Sequence, residues 1–455
     1  MKETWISLAY LIAAVCFIVA LKALSSPRSA RLGNAIGAVG AVIAVFAVFA
    51  ATGTRNLLPI LAAIAVGAAI GLVSARRVVM TAMPQLVAVF NGVGGAAGAL
   101  VALLEIADAD TGRSQLAVGG FTVLVGAVAF SGSIVTYAKL QELMTGRPIV
   151  YPGAPVVFAA LTAAVVAAGV WIPLGAPPWV AVALAVVCVA LGVLFVLPVG
   201  GADVPIVISL LNAFSGVTVA ASGYVLGNTL LIVAGTLVGA SGTLLTQLMA
   251  SAMGRSLANI LFGAFAGGST LGATTASTRS VRSAGPEDVA ILLGYARKVI
   301  IAPGYGLAVA QAQHALQDLA EELERRGIEV THAIHPVAGR MPGHMNVLLA
   351  EADVPYDKLK EMDIVNPEFR TADVALVVGA NDVVNPAAHT TPGSPIYGMP
   401  ILAAAEARAI VFLKRSMRPG FAGIENELLH DPKTTLLFGD AKDSLRKLVA
   451  AVKGL

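Results

Sequence analysis

The fold of the carboxyl-terminal part is decided by the stretch VIIAPGYGLAV at residues 299–309. Its apolar beginning predicts a buried strand, and the apolar pattern after the second glycine predicts a helix. Gly304 and Gly306 permit a tight turn and the close approach of a pyrophosphate to the helix amino terminus. Val309 stands where glycine or alanine is usual, so we expect the helix to pack differently on the strand. The stretch predicts the first strand–turn–helix unit of a dinucleotide-binding domain.

Further apolar strands and amphipathic helices alternate through residues 287–455. The predicted strands lie at 299–302, 330–334, 374–378, 410–413 and 436–438. The predicted helices lie at 307–326, 345–352, 401–407 and 441–452. This alternation predicts an α/β Rossmann-like domain with a doubly wound parallel sheet.

The residues after the second and fourth predicted strands bear on which dinucleotide binds. An NAD site usually has a carboxylate about twenty residues after the glycines, where it holds the ribose 2′-hydroxyl. Here the second strand runs into His335 with no carboxylate. The fourth strand ends at Lys414, Arg415 and Ser416, and two cations with a hydroxyl suit a 2′-phosphate. The pattern favours NADP over NAD, and a solvated basic turn is the alternative.

Residues 1–251 have the composition of a membrane domain. The whole chain is 57% hydrophobic and 13% charged, against about 25% charged in ordinary globular domains, and its charged residues are concentrated after residue 251. Apolar segments of spanning length lie at 4–24, 33–53, 57–75, 83–104, 117–137, 153–172, 178–198, 204–226 and 228–251. They predict nine transmembrane helices. Residues 252–286 are rich in Gly, Ser and Thr and predict a linker or hinge, while a net charge of +3 is too small to indicate nucleic-acid binding.

Basic residues predict the orientation of these helices. The connections that follow odd-numbered helices contain most of them: Lys22, Arg28, Arg31, Arg76, Arg77, Lys139, Arg147 and Arg255. The connections that follow even-numbered helices contain only Arg55 and Arg113. An excess of lysine and arginine marks the cytoplasmic side. We therefore expect a multi-pass protein of the cell (inner) membrane, with its amino terminus outside and its carboxyl-terminal domain in the cytoplasm.

Polar residues within the apolar segments predict a hydrated or hydrogen-bonded seam through the helices. The candidates for a proton pathway are Asn91, Asn212, Ser215 and Asn228. Polar groups at membrane depth line a wet path or bond a neighbouring helix, and both roles stay open for each residue. All six histidines lie after residue 251, so the most natural proton-relay side chain is missing from the membrane part.

Several long runs carry a resemblance to a known family. They are PGYG (303–306), AVAQAQ (308–313), HPVAGRMPGHMN (335–346), GANDVVNPAA (379–388), SPIYGMP (394–400), KRS (414–416) and GDAK (439–442). With these runs in this order, the chain resembles the beta subunit of the bacterial proton-translocating NAD(P) transhydrogenase over essentially its whole length. The resemblance implies an Si/Re-specific enzyme in which hydride passes from NADH to NADP⁺ with inward proton translocation. It further implies that this chain binds NADP(H) and is active only with an alpha subunit that binds NAD(H) and adds transmembrane helices, in a dimer of heteromers embedded in membrane lipid.

The resemblance also implies which residues surround NADP(H). They are Gly304, Tyr305, Gly306, Val309, Val337, Ala338, Gly339, Arg340, Met341, Pro342, Gly379, Ala380, Asn381, Asp382, Val383, Gly398, Met399, Lys414, Arg415, Ser416, Met417, Arg418, Pro419, Gly420, Phe421, Asp440 and Ala441. No catalytic acid or base is implied, because hydride passes directly between two nicotinamides. Asp382 is the candidate group that couples nucleotide state to proton state, and a loop cap is its alternative role.

Two positions depart from the family pattern. Many members carry a membrane histidine at the position of Asn91, and asparagine cannot titrate. Either a partner chain supplies an ionisable group there, or water and hydroxyl groups conduct. Phe421 stands where relatives often have tyrosine, whereas Asn228 matches the family.

A second class of function fits a membrane domain joined to a nucleotide-binding domain. An ion channel or transporter gated by cytosolic nucleotide would combine the same two parts. It predicts charges at the membrane midplane and an acidic ribose site, and the sequence shows neither.

The orientation is tested by a reporter enzyme fused after Leu455. Nine spans and the basic-residue bias predict that an enzyme active only in the cytoplasm works in this fusion. An enzyme active only outside the membrane should be silent at the same position. The opposite pair of results would contradict the orientation.

Overall fold

The computed structural model divides into two compact units. It describes residues 2–455 except 27–28, 53–55, 109–110, 142, 146–147, 201–202, 254–255, 263–280, 340–342, 393, 395 and 421. One unit comprises residues 1–79, 85–198 and 207–246, and the other comprises residues 80–84, 199–206 and 247–455. Most of the predicted linker lies outside the described residues, so the domain limits 1–251, 252–286 and 287–455 stay predictions.

Nine helices among the described residues are long and apolar enough to cross a membrane. They are α1 (Lys2–Leu24), α2 (Ala30–Thr52), α3 (Leu57–Arg77), α4 (Met83–Ile106), α5 (Arg113–Leu140), α6 (Ala154–Trp171), α7 (Trp179–Val196), α8 (Val204–Val225) and α9 (Thr229–Ala252). Each matches one predicted apolar segment. An α-helix satisfies its own backbone hydrogen bonds, which is the condition for crossing hydrocarbon. The predicted polytopic helical part is confirmed.

Small residues and one buried lysine set the packing around α5. A Cβ atom added to Gly95 of α4 would lie 2.7 Å from the carbonyl oxygen of Gly126 in α5, so only glycine allows the two backbones to approach this closely. At the end of α5, the buried Lys139 donates hydrogen bonds from Nζ to the carbonyl oxygens of Val196 (3.1 Å) and Leu197 (2.7 Å). These carbonyls end α7, where a helix has unsatisfied acceptors and partial negative charge. Lys139 therefore fixes the end of α7 against α5.

A parallel sheet of six strands forms the centre of the carboxyl-terminal part that the structure describes. Its strands are β1 (Lys298–Pro303), β2 (Glu329–Ile334), β3 (Leu359–Glu361), β4 (Val374–Val378), β5 (Ala409–Lys414) and β6 (Thr434–Phe438), in the order β3-β2-β1-β4-β5-β6. The helices of this part are α10 (Leu257–Phe262), α11 (Pro286–Gly294), α12 (Tyr305–Val309), α13 (Gln313–Arg325), α14 (His344–Glu351), α15 (Met362–Val365), α16 (Ala387–Thr390) and α17 (Ala441–Lys453). All pairings are parallel, and the order reverses direction between β1 and β4. The predicted doubly wound fold is confirmed.

Three local features differ from the pattern in the sequence. The helix expected at 307–326 is two helices, because Gln311 adopts a left-handed conformation (φ 50°) between α12 and α13. The segment expected to be helical at 401–407 forms only a 3-10 turn at Ala404–Glu406. Strand β3 was not expected, since three residues at the edge of a sheet are too few to show alternation.

The sheet carries one hydrophobic core on each face. Alternating residues of β1 show this division, since Val299 and Ile301 enter one core and Ile300 and Ala302 enter the other. Every member of both cores lies between residues 281 and 452. The segment before α11 also joins the sheet, because the backbone N–H of Leu436 donates to the carbonyl oxygen of Arg282 (2.8 Å). A fragment of residues 281–455 therefore contains a complete core, and we expect it to fold alone.

His332 on β2 is fully buried, and neither of its ring nitrogens has a hydrogen-bond partner among the described residues. Burial, with the nearby charge of Lys358, lowers the pKa of His332 to about 4. In the unfolded chain a histidine side chain binds a proton near pH 6.5, whereas the folded chain binds it only near pH 4. The free energy of unfolding is therefore largest above pH 6.5 and decreases as the pH falls towards 4. Between pH 7 and pH 5 the loss is about 2 kcal/mol.

The His332→Phe substitution should remove this loss. Urea unfolding of fragment 281–455 at pH 7 and pH 5 measures it for both forms, and the native fragment should lose about 2 kcal/mol more than the variant. An equal loss in both would show that protonation of His332 does not govern acid stability.

Candidate functional site

The candidate site begins where the strand order reverses, at the carboxyl ends of β1 and β4. The backbone N–H of Gly304 donates to the carbonyl oxygen of Val378 (2.9 Å), and that of Gly306 donates to the carbonyl oxygen of Gly379 (2.9 Å). The loops after the two strands therefore lie side by side. In parallel α/β sheets, ligands bind in the crevice at this reversal point.

Glycine is required here for backbone approach. A Cβ atom on Gly304 would lie 2.5 Å from the backbone nitrogen of Ala380, and one on Gly306 would lie 2.7 Å from Cα of Gly379. Gly379 itself has φ +70°, a conformation that other residues adopt at a cost. The space beside Gly304 and Gly306 is thus occupied by the β4 loop. Val309 is 45% exposed, so the third position of the motif does not pack the helix onto the strand.

Asp382 lies beneath the loop that follows β5. Its Oδ2 accepts a hydrogen bond from the backbone N–H of Ala422 (2.9 Å), and its Oδ1 accepts one from Nδ2 of Asn381 (3.0 Å). A Cβ atom on Gly420 would come within 2.5 Å of the same Oδ1. The carboxylate therefore holds the loop at residues 415–424 in place. A change of its charge would act directly on that loop.

Lys414 and Arg415 lie in different surroundings. Nζ of Lys414 donates to Oδ1 of Asn381 (3.2 Å) and to the carbonyl oxygen of Arg418 (3.0 Å). Burial lowers the pKa of Lys414, and the attraction of Asp382 opposes this shift. Arg415 is exposed. Lys414 thus anchors the 415–424 loop to the β4 loop, whereas Arg415 is exposed to solvent.

Two asparagines that sequence reasoning missed complete this part of the site. Nδ2 of Asn426 donates to the carbonyl oxygen of Asn381 (3.0 Å), and Nδ2 of Asn385 donates to the carbonyl oxygen of Glu425 (3.0 Å). Both side chains are buried. They tie the segment after the 415–424 loop to the β4 loop. Their position in loops was the only signal, and asparagine in a loop more often serves a local turn.

The loop after β2 lies next to the first glycine turn. Tyr305 and His344 contact edge to face, with ring centroids 6.0 Å apart. Gly339 has φ +113°, and a Cβ atom there would lie 2.6 Å from the ring of His344. Val337 and Ala338 precede it in the same loop. The predicted site residues Arg340, Met341 and Pro342, together with Phe421 in the β5 loop, lie outside the described residues.

The remaining predicted residues of the sheet domain have structural contacts. Met399 is buried among apolar residues of α9 and α10, and the backbone N–H of Gly398 donates to the carbonyl oxygen of Ala388 (2.8 Å). Asp440 caps α17 by accepting from the backbone N–H of Lys442 (2.9 Å). Val383 and Ala441 are buried in the two cores. The exposed residues Ser416, Met417, Arg418 and Pro419 all belong to the 415–424 loop.

Two predicted residues of the membrane seam are bonded to each other. Nδ2 of Asn91 in α4 donates to the carbonyl oxygen of Ile208 in α8 (3.3 Å), and Oγ of Ser215 in α8 donates to the carbonyl oxygen of Asn91 (3.0 Å). Both side chains are buried. Asn228 precedes α9 and its Oδ1 accepts from the backbone N–H of Leu231 (3.2 Å), which is a helix cap. Asn212 is half-buried in α8.

Comparison with known proteins matches nearly the whole chain to one family. The family model described as NAD(P) transhydrogenase beta subunit matches residues 6–451. The chain is 48% identical over 455 residues to NAD(P) transhydrogenase subunit beta of Rhodospirillum rubrum, covering 98% of each chain. The same values hold for the sequence assigned to strain ATCC 11170 of that organism. The chain belongs to the NAD(P) transhydrogenase beta subunit family.

Proposed function

We propose that this chain is the NADP(H)-binding and proton-conducting subunit of a membrane transhydrogenase. In this proposal hydride passes from NADH to NADP⁺ as protons move inward. The observation that carries it is the reversal point of the sheet, where the β1 turn, the β4 loop and the cationic β5 loop lie at one edge. The family membership supports the reaction, and the geometry supports the nucleotide assigned to this chain.

The residues at this edge fit a nucleotide that carries a 2′-phosphate. Arg415 is exposed at the end of β5, and guanidinium groups bind phosphate through paired hydrogen bonds. The end of β2 leads into His335 rather than into a carboxylate, so the acceptor that an NAD ribose would require is missing from that position. Both features favour NADP(H) over NAD(H).

The chain's own contribution to hydride transfer is position and exclusion of water. Bound NADP⁺ would supply the hydride acceptor at its nicotinamide, so no protein acid or base is required. The 415–424 loop, held by Asp382 and Lys414, lies where it can cover the nucleotide. Protonation of Asp382 would weaken its hydrogen bond to the N–H of Ala422, and this links a proton to the loop.

The proton pathway proposed here uses polar groups of α4 and α8. Asn91 and Ser215 make hydrogen bonds between these helices, and Asn212 in α8 and Asn228 before α9 are the further polar candidates. Because asparagine does not titrate, water molecules or an ionisable group of a partner must carry the proton past Asn91. One charge crossing 100 mV releases about 2.3 kcal/mol, enough to shift a binding equilibrium roughly 50-fold.

The partner in this proposal is an alpha subunit that binds NAD(H) and adds transmembrane helices. The relatives are named as beta subunits, which supports a second kind of chain. We further propose a dimer of such heteromers in the inner membrane, with the amino terminus outside and the sheet domain in the cytoplasm. A nucleotide-gated channel remains the second candidate from composition alone, but the membership of the chain in an enzyme family disfavours it.

The proposed function is tested by co-expressing the chain with an NAD(H)-binding partner and isolating membrane vesicles. We expect NADPH to form from NADH and NADP⁺, faster with an imposed inward proton gradient, and an uncoupler should remove the acceleration. Vesicles that contain either chain alone should be inactive. Nucleotide-gated ion flux without NADPH formation would support the channel instead.

Replacement of Lys414 and Arg415 by alanine tests the 2′-phosphate site in fragment 281–455. Each cation is expected to make a charge-assisted hydrogen bond worth about 1.5–3 kcal/mol, so NADPH should bind at least about a hundredfold more weakly. NADH lacks the phosphate and should change little. Lys414 also bonds Asn381, so the single variant Arg415→Ala separates loss of a phosphate contact from loss of the contact between Lys414 and the β4 loop.

The matched control replaces Arg446 and Lys447, an adjacent exposed pair on α17, by alanine. This variant loses the same charge from the same domain and should bind NADPH normally. Equal weakening of NADPH and NADH by the first double variant would mean that the pair supports the fold or the pyrophosphate.

The Asn91→Leu variant tests the membrane seam. It removes the bond from the Asn91 side-chain amide to the carbonyl oxygen of Ile208, whereas the bond from Ser215 ends on the backbone carbonyl oxygen of residue 91 and is kept. A buried hydrogen bond is worth about 1 kcal/mol, so gradient-driven NADPH formation should fall about fivefold. NADPH affinity should be nearly unchanged. Val93→Leu, at an exposed position of the same helix, is the control. Normal proton-driven turnover in Asn91→Leu would show that Asn91 only packs between the helices and takes no part in proton conduction.

A further inference from the structure

His335 directly follows β2 and begins the loop that contains the predicted site residues Val337, Ala338 and Gly339. Its side chain is only 1% exposed. The backbone N–H of Val337 donates to Nδ1 (3.2 Å), and Nε2 lies 2.7 Å from the carbonyl oxygen of Pro400. The ring therefore bridges the loop at residues 335–339, which we term the nucleotide loop, and the segment that ends at Pro400.

The two partners define the protonation state of the ring. Nδ1 accepts a hydrogen bond, so it carries no proton, and Nε2 must donate to Pro400 because a carbonyl oxygen only accepts. Burial lowers the pKa of His335 to about 4, and the bond to Pro400 only partly offsets this shift. A neutral histidine whose two ring nitrogens both form hydrogen bonds fixes the distance and orientation between two backbone segments.

The segment on the far side of the ring packs against the ends of the long apolar helices α8 and α9 and against the short helix α10. Ile396 and Met399 are buried together with Ile206 of α8, Met249 of α9 and Ile260 of α10. We term these residues the helix-end cluster; they all belong to the second compact unit. Ile401 packs against the same cluster directly after Pro400, and so does Val337 of the nucleotide loop.

We propose that His335 is a positioning residue that joins the nucleotide loop to the helix-end cluster through Pro400. This inference rests on the proposed NADP(H) site, because only a nucleotide at that edge would contact the loop. When the loop moves, the bond from Nε2 carries the displacement to Pro400, and the packing of Met399 and Ile401 carries it to the ends of α9 and α10. Apolar packing alone would not transmit this displacement, because apolar contacts do not depend on orientation and the loop could slide over the helix-end cluster.

Two conservative substitutions separate the two bonds of the ring. In His335→Asn, the amide oxygen can still accept from the N–H of residue 337, as asparagine does in Asx turns, but the side chain is too short to reach Pro400. In His335→Gln, the longer side chain places an amide donor near the carbonyl oxygen of Pro400. His332→Phe is the matched control, because it replaces another buried histidine of β2 that has no polar partner among the described residues.

The experiment measures chemical labelling at the helix-end cluster. Leu257 of α10 packs against this cluster and is partly exposed, so we place a reporter there by Leu257→Cys in a full chain whose Cys16 and Cys188 are replaced by alanine. The solubilised chain, with its partner, is labelled by a maleimide with and without saturating NADPH. NADPH binding is measured separately by fluorescence.

NADPH should change the labelling rate at least about fivefold in the otherwise native chain, a typical size for coupling between two sites. The change should persist in His335→Gln and His332→Phe and should disappear in His335→Asn, although all three bind NADPH. The proposal is overturned if His335→Asn responds like the native chain, or if His335→Gln loses the response while it still binds NADPH. A native chain that binds NADPH without any change at residue 257 overturns it too. Failure of the native chain to bind NADPH contradicts the proposed function instead.

Discussion

The close approach of the loops that follow β1 and β4 is the constraint on which the carboxyl-terminal site depends. Gly304, Gly306 and Gly379 allow two backbones to lie in direct contact at the reversal point of the sheet. This contact places Asn381 and Asp382 directly after the close approach, where they hold the 415–424 loop through Lys414, Ala422 and Asn426. A side chain at any of the three glycines would separate the loops and move every one of these groups. The backbone contact between these loops therefore determines where the charged groups of the candidate site lie.

The sequence predicted the architecture because hydrophobic spacing is a strong signal. Nine apolar segments became nine helices in the described residues, and all five expected strands formed. The local differences arise from backbone conformation and strand pairing, which hydrophobic spacing does not encode. The helix after the glycine turn breaks at Gln311, which adopts a left-handed conformation, and the three-residue β3 is stabilised by pairing with β2.

The site was only partly foreseeable for the same reason. Charge and residue type pointed to Lys414, Arg415 and Asp382, but they could not show that Lys414 is occupied with Asn381 while Arg415 is exposed. They also could not show that the space beside Gly304 and Gly306 is filled by the β4 loop, or that Asp440 caps a helix. In the membrane part, Asn91 was singled out as a departure from the family histidine. Its side-chain amide donates to the carbonyl oxygen of Ile208 and its backbone carbonyl accepts from Ser215, so residue 91 connects α4 to α8 without a titratable group.

The central claim is that the edge of this sheet binds NADP(H) in preference to NAD(H). The most direct measurement is an equilibrium titration of fragment 281–455 with NADPH and NADH, followed by nicotinamide fluorescence. Our account predicts that NADPH binds at least about a hundredfold more tightly, since the 2′-phosphate adds charge-assisted hydrogen bonds. It also predicts that the fragment transfers no hydride between the two nucleotides. Equal binding, or tighter binding of NADH, would contradict the account.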